Sequence, residues 1–281
     1  MSGALSTRGK ESQHGAFEPG SFTNEALGGY MQMLRERVFE TENAHQYFEL
    51  LLEDIVEQSN ILSEGAVVVA LERTLLYGGY SLLGPLFHRQ RFISVDCSPP
   101  SADERGAYNS HMFDDPRALH VKYDRRSPEH ATGLSSGSAD LVIVPNLVHH
   151  IRDQQALFKE MARILKTGGQ AYVFEPLVRE LHQAPDDYLR YTPFGLAEIF
   201  SQHGLREERT RTTGGPFSVI AYCWSQALQF FPDSERAKMQ HWFETEELPR
   251  LTTWDRQHKA NLVRGKTSFP MAFSVLAKKT T

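Results

Sequence analysis

A doubly wound α/β sheet, mostly parallel and finished by an antiparallel C-terminal strand, is the fold class this sequence predicts. Helices precede the sheet and a helical insertion falls late in the chain. Three observations predict it. Short apolar runs at 66–71, 91–96, 139–146 and 170–177 alternate with stretches of helical or turn-like pattern. Several of those runs are apolar on both faces, as strands in a sheet covered on both sides must be. A further strand-like run, "PMAFSVLAKK" (270–279), returns at the end. The arrangement is Rossmann-like.

The elements follow in order. Residues 1–24 are rich in Gly, Ser and charge without an apolar period and are expected to form a flexible tail. Within 25–60, Leu34, Val38, Phe48, Leu51, Leu52 and Ile55 recur at helical spacing, giving an N-terminal helical segment. The main domain runs over 61–281. "AVVVAL" (66–71) is its first strand, "YSLLGPLF" (80–87) starts a short helix, and "RFISVD" (91–96) and "ALHVKYD" (118–124) are strands two and three. "ADLVIVPN" (139–146) is the fourth. "DQQALFKEMARILKTGG" (153–169) is an amphipathic helix with Leu157, Met161, Ile164 and Leu165 on one face, Asp153 as N-cap and Gly168 past its end. "QAYVFEPL" (170–177) is strand five. "PFGLAEIFSQHGL" (193–205) is a helix opened by Pro193 and stopped at Gly204. "PFSVIAYCW" (216–224) reads as a strand, and 225–269, rich in Trp, His and charge, as a helical insertion.

Bulk properties narrow the function. With 281 residues and 40% hydrophobic composition the chain can bury a sizeable core. A net charge of −5 gives no electrostatic reason for nucleic acid or anionic membrane as partner. Two cysteines, Cys97 and Cys223, exclude a disulfide framework and a Cys-rich zinc site. No apolar stretch approaches the ~20 residues that span a bilayer. A cytoplasmic protein acting on a small molecule is expected.

In an open parallel sheet ligands bind beyond the carboxyl ends of the strands. Those ends carry Glu72, Asp96, Asp124 and Asn146. Burying carboxylates costs several kcal/mol unless they are paired, so packing alone does not ask for them. Asp96, closing strand two after the first turn, suits hydrogen bonds to ribose hydroxyls.

From Ala66 to Leu205 the chain resembles class I S-adenosylmethionine-dependent methyltransferases. The resemblance rests on "SVDCSP" (94–99), "SADLVIVPNLVHHI" (138–151), "LFKEMARILKTGG" (157–169) and "YVFEP" (172–176). "LHQAPDDYLRYTPFGLAEIF" (181–200) is similar to a signature of one branch, whose members often accompany sugar or polysaccharide biosynthesis. The resemblance implies S-adenosylmethionine as cofactor. Glu72 would meet its methionine end, Asp96 its ribose, Asp124 its adenine, and Asn146 would line the channel to the methyl group. It aligns "ALERTLLYGG" with the family's first glycine motif, where Thr74 and Leu76 stand at two glycine positions and only Gly78 matches. A side chain at a left-handed position there costs on the order of 1 kcal/mol and occupies cofactor space.

Methyl transfer needs an in-line geometry and, for many acceptors, a base. His149, after strand four, and His182, after strand five, are the candidates, since a histidine titrates near neutrality. Asp187, Tyr188, Arg190 and Tyr191 share the loop of His182 and are candidates for acceptor binding, Arg190 as a clamp on an anionic group. Trp224, Phe230, Phe231, Trp242 and Trp254 suit a core or a homodimer contact better than a roof. No metal is expected, because adjacent side chains such as His149 and His150 usually diverge and no i, i+4 His/Glu pair backs them. O- or N-methylation of a hydroxylated or sugar-containing metabolite is the leading reading. A methyltransferase-like fold that has lost methyl transfer, as a regulatory subunit or an enzyme of another reaction, stays open.

Overall fold

Burial sets the strand period. In β1 (Val67–Glu72), Val68 and Ala70 enter the core on one side of the sheet and Val69 and Leu71 the core on the other, all four fully buried. The structure, a computed structural model, describes residues 28–30, 32, 34, 42–74, 81–98, 119–123, 131–262 and 269–280. Leu76, Gly78 and Asp124, all named above, lie outside the described residues, as does the expected 1–24 tail.

Seven strands form one sheet. β2 (Arg91–Asp96), β3 (Leu119–Lys122), β4 (Ala139–Pro145), β5 (Leu165–Pro176), β6 (Leu205–Thr213) and β7 (Ala272–Lys279) join β1 in the order β3-β2-β1-β4-β5-β7-β6. β1 to β5 are mutually parallel, and β7 runs antiparallel to both its neighbours. The strand order therefore reverses between β1 and β4, and that crevice is where such a sheet receives a ligand.

Helices cover both faces. α1 (Glu42–Ile61) lies on the face of Val68, Ala70, Tyr172 and Phe174. Its Asp54, fully buried, fixes it there: Tyr172 Oη (3.0 Å) and Ser274 Oγ (2.6 Å) donate to the carboxylate, and Arg211 Nη1 approaches at 2.5 Å. α2 (Gln154–Ile164) and α3 (Pro193–Gln202) cover the other face. The expected Asp153 cap forms, accepting from Ala156 N at 3.0 Å, and Thr192 caps α3 by accepting from Gly195 N at 3.2 Å. Gly204, with φ +71°, takes the left-handed position that ends α3.

Two expectations need correction, and one strand has no expectation behind it. α2 stops at Ile164, not at Gly168, because Leu165 already pairs with Ala139 and "LKTGG" forms the bulged start of β5. Gly169 sits there so close to three backbone carbonyls that an added Cβ would lie 3.0 Å from Lys166 O. β6 has no counterpart in the sequence reading, since "LREERTRTT" is an edge strand whose side chains are mostly solvated. The stretch expected as a strand at 216–224 is helix α4 (Pro216–Ala227). Its apolar run is two helical stripes: Val219 and Tyr222 reach the sheet, while Phe217, Ala221 and Trp224 turn to a separate small core.

That core belongs to a helical layer. α5 (Asp233–Trp242) and α6 (Leu248–Leu262) are joined by a π turn over Phe243–Glu247. Phe243, Leu248 and Leu251 pack with Trp224, Trp242 and Trp254. Asp255 of α6 caps the start of α4, accepting from Phe217 N at 3.2 Å and Ser218 N at 2.6 Å.

Candidate active site

At the tips of β1 and β2 the pairing register sets Glu72 beside Asp96. Glu72 is buried, and Ser94 Oγ donates to it at 3.0 Å. Burial pushes its carboxyl up to about 7, against the hydroxyls of Ser81 and Ser94 and with help from the Asp96 charge. Asp96 is half-buried. Its Oδ1 accepts from Ser98 N at 3.0 Å and Ser98 Oγ at 2.6 Å, and no ion pair forms on it among the described residues. One carboxylate edge is thus held by the chain and the other left to a donor. A buried acid beside a half-buried one, without a cation on either among the described residues, fits a ligand with an ammonium and neighbouring hydroxyls. That is the donor set of S-adenosylmethionine. Arg73 and Thr74, the next two residues, are buried rather than looped outward.

Across the crevice β4 is followed by Asn146, whose φ of +54° is a left-handed conformation that asparagine tolerates. Its N–H donates to Phe174 O at 2.7 Å, and the reversed backbone leads into a 3-10 turn, Val148–His150. Glu175, at the tip of β5 and 1% exposed, closes that turn. Its Oε1 accepts from Leu147 N (2.8 Å) and Val148 N (2.7 Å), and its Oε2 from His149 N (3.3 Å) and His149 Nδ1 (2.6 Å). His149 is fully buried, and its Nε2 has no hydrogen-bond partner among the described residues. A carboxylate on one imidazole nitrogen and an open lone pair on the other is the arrangement of an oriented base.

The segment after β5 folds back over this turn. Tyr188 N donates to His149 O at 2.8 Å, and His150 Nδ1 donates to Asp186 O at 2.5 Å. His182 Nδ1 lies 3.2 Å from both Glu180 O and Asp187 Oδ2. The three imidazoles gather, with ring centroids 3.9 Å (His149–His150), 4.8 Å (His150–His182) and 5.4 Å (His149–His182) apart. Burial, then repulsion from His149 and Arg73, pushes His150 down to about 2, so it is a neutral imidazole. Burial and the Arg179 charge lower His182 as well.

Sequence reasoning named His149 and His182, and the structure brings them together. It missed Glu175, although an acid ending the fifth strand was the available signal. The ground for expecting His149 and His150 to diverge fails: in the tight turn each ring is drawn by its own acceptor, Glu175 or Asp186, and the rings stay in contact, tilted at 44°. Arg190 and Asp187 are committed to each other, Nη1 to Oδ1 at 2.5 Å and Nη2 to Oδ2 at 2.9 Å, rather than set out as an open clamp. Asp187 also accepts from His182 N at 3.1 Å, and against burial the Arg190 guanidinium holds its carboxyl well below the usual range. Tyr188 is exposed and donates to Asp186 Oδ1 at 2.8 Å, while Tyr191 packs on the core below. The tryptophans fill the helical layer, and Phe230 stands 83% exposed.

Residues 78–173 match the family model described as a methyltransferase domain. Among solved structures, one is a complex of the Haloferax volcanii Trm112 methyltransferase activator with a methyltransferase: 18% identity, 91% of this chain and 96% of that one covered, TM-score 0.52. A sarcosine dimethylglycine methyltransferase from Galdieria sulphuraria aligns at 15% identity over 84% and 86% of the two chains, TM-score 0.49. A Haemonchus contortus phosphoethanolamine N-methyltransferase, solved with S-adenosyl-L-methionine, aligns at 16% identity over 90% of this chain and 60% of that one, TM-score 0.49. No curated protein matches the chain in sequence.

Proposed function

We propose that this chain, a member of the class I S-adenosylmethionine-dependent methyltransferase superfamily by its fold and its 78–173 segment, methylates an oxygen or nitrogen of a small hydroxylated acceptor. The carrying observation is the His149–Glu175 pair, buried at the carboxyl edge of β4 and β5 with the imidazole Nε2 unpartnered.

When bound, S-adenosylmethionine supplies an electrophilic methyl group. Glu72 meets its ammonium, and Asp96, steadied by Ser98, takes the ribose hydroxyls. His149 Nε2 removes the acceptor proton while Glu175 holds Nδ1 and stabilises the imidazolium that forms. His182, positioned by Asp187 and Arg190, orients the acceptor hydroxyl. Tyr188, at the exposed rim of the same loop, contacts the body of the acceptor, and Asn146 lines the passage between the two ligands.

Calorimetry with S-adenosylhomocysteine tests the reading. Micromolar binding, weakened about tenfold to a hundredfold in Asp96→Ala, is expected from the loss of charged hydrogen bonds. No heat at millimolar ligand from a folded protein would give the chain to the non-catalytic alternative.

A further inference from the structure

We propose that His149, His150 and His182 together hold one divalent transition-metal ion, zinc by preference. One ring nitrogen of each lies within 4.8 Å of the other two. A tetrahedral ion at metal–nitrogen distances of about 2.0–2.1 Å sets its ligand nitrogens ~3.3 Å apart, so closure needs small side-chain rotations and no rebuilding of the fold.

The hydrogen bonds argue for ligation more strongly than the spacing does. Each Nδ1 is already a donor: to Glu175 Oε2 from His149, to Asp186 O from His150, and to Glu180 O and Asp187 Oδ2 from His182. A carbonyl can only accept, so the proton sits on Nδ1 of His150 and His182, and Glu175, already accepting backbone N–H groups, assigns His149 likewise. Every Nε2 is then left as a lone pair. Metal-bound histidines carry this same outer arrangement, a carboxylate or carbonyl on the far nitrogen that fixes tautomer and ring direction. The His149 Nε2 is the decisive atom: fully buried and without a hydrogen-bond partner among the described residues, it is costly to leave empty.

The donor set selects the metal. Three neutral imidazoles suit zinc and its transition-metal neighbours and are poor ligands for magnesium or calcium, which want oxygen. Three protein ligands also leave a fourth position open, as in catalytic rather than structural zinc sites. The two carboxylates on the far nitrogens, Glu175 and Asp187, offset part of the charge. On the methyl-transfer reading above, the open position takes the acceptor's hydroxyl, which loses its proton to solvent more readily on the ion; His149 Nε2 then binds the ion instead of serving as the base.

The full chain, stripped with chelator, is titrated with zinc by calorimetry against a competing chelator, and with cobalt(II) while the visible spectrum is recorded. Expected are one ion per chain at submicromolar affinity, tetrahedral cobalt bands, and a rise in melting temperature on adding zinc. His182→Ala and His150→Ala abolish the bands and the thermal shift while retaining the fold. Should those variants unfold, Glu175→Gln, which keeps an acceptor for the backbone, weakens zinc about 10- to 100-fold. Binding that is absent, or that survives unchanged in these variants, overturns the proposal. Zinc binding without S-adenosylhomocysteine binding keeps the metal site and removes methyl transfer; the reverse keeps methyl transfer and removes the metal.

Discussion

Glu175 and His149 lie on different elements, a strand tip and a 3-10 turn, and meet through a 2.6 Å contact in which both side chains are buried. The same carboxylate holds the backbone of the turn, so one residue sets both the position and the tautomer of the imidazole. Glu175→Gln keeps an acceptor for the turn and loses the charge facing Nδ1. A fall in kcat of about 10²-fold or more, with S-adenosylhomocysteine affinity unchanged, is expected of an oriented base. An equal loss of cofactor affinity would mark a merely structural role.

Glu72 makes folding sensitive to pH. Its carboxyl titrates near 7 in the folded chain against 4.5 in the unfolded one, so the fold prefers the protonated form. That contribution is complete below about pH 4.5 and is lost as pH rises through 7, on the order of 3 kcal/mol across the window. Denaturant unfolding of the wild type and Glu72→Gln at pH 5 and pH 8, run as a pair, is expected to show the difference only in the wild type.

Ser98 steadies Asp96 through two hydrogen bonds to a single oxygen. Ser98→Ala removes one and leaves the carboxylate charge, so a severalfold loss of S-adenosylhomocysteine affinity is expected, smaller than that of Asp96→Ala. Equal losses in the two variants would mean that Asp96 does not touch the ligand.

The Asp187–Arg190 pair holds the loop that carries His182. Asp187→Asn breaks the charge pairing and frees His182 Nδ1 from a carboxylate. A drop in kcat with little change in cofactor affinity is expected, and Arg190→Lys, which loses the bidentate geometry, moves in the same direction by less.

Asp54→Ala would leave Arg211, Tyr172 and Ser274 without their shared partner beneath α1. Removing one member of a buried charged network costs about 3–5 kcal/mol, read as a lower melting temperature. Asp54→Asn retains part of the hydrogen bonding and is expected to fall between.

Much of this was legible in the sequence, for physical reasons that differ by element. β1, β2, β4 and β5 announce themselves because both their faces are buried, and α2 because one face is. β6 was invisible: at the sheet edge its Arg209 and Arg211 serve as ion-pair partners for α1, and a charged alternation carries no apolar signal. α4 was misread because two apolar stripes on opposite helix faces merge into one run when written in line. At the site, Asp96 and His182 could be found from their place after a strand. Glu175 stands at a strand end too and was equally open to that reasoning, whereas the approach of His150 to His182 was not, since it depends on where the 181–192 segment comes to rest.

The position of β7 between β5 and β6 bears on how the chain is made. Until Ala272–Lys279 has been synthesised, β5 has an open edge and β6 no backbone partner at all. A nascent chain is therefore expected to hold α4, α5 and α6 as a provisional package while two strand edges wait exposed, which is when a chaperone would matter most to it.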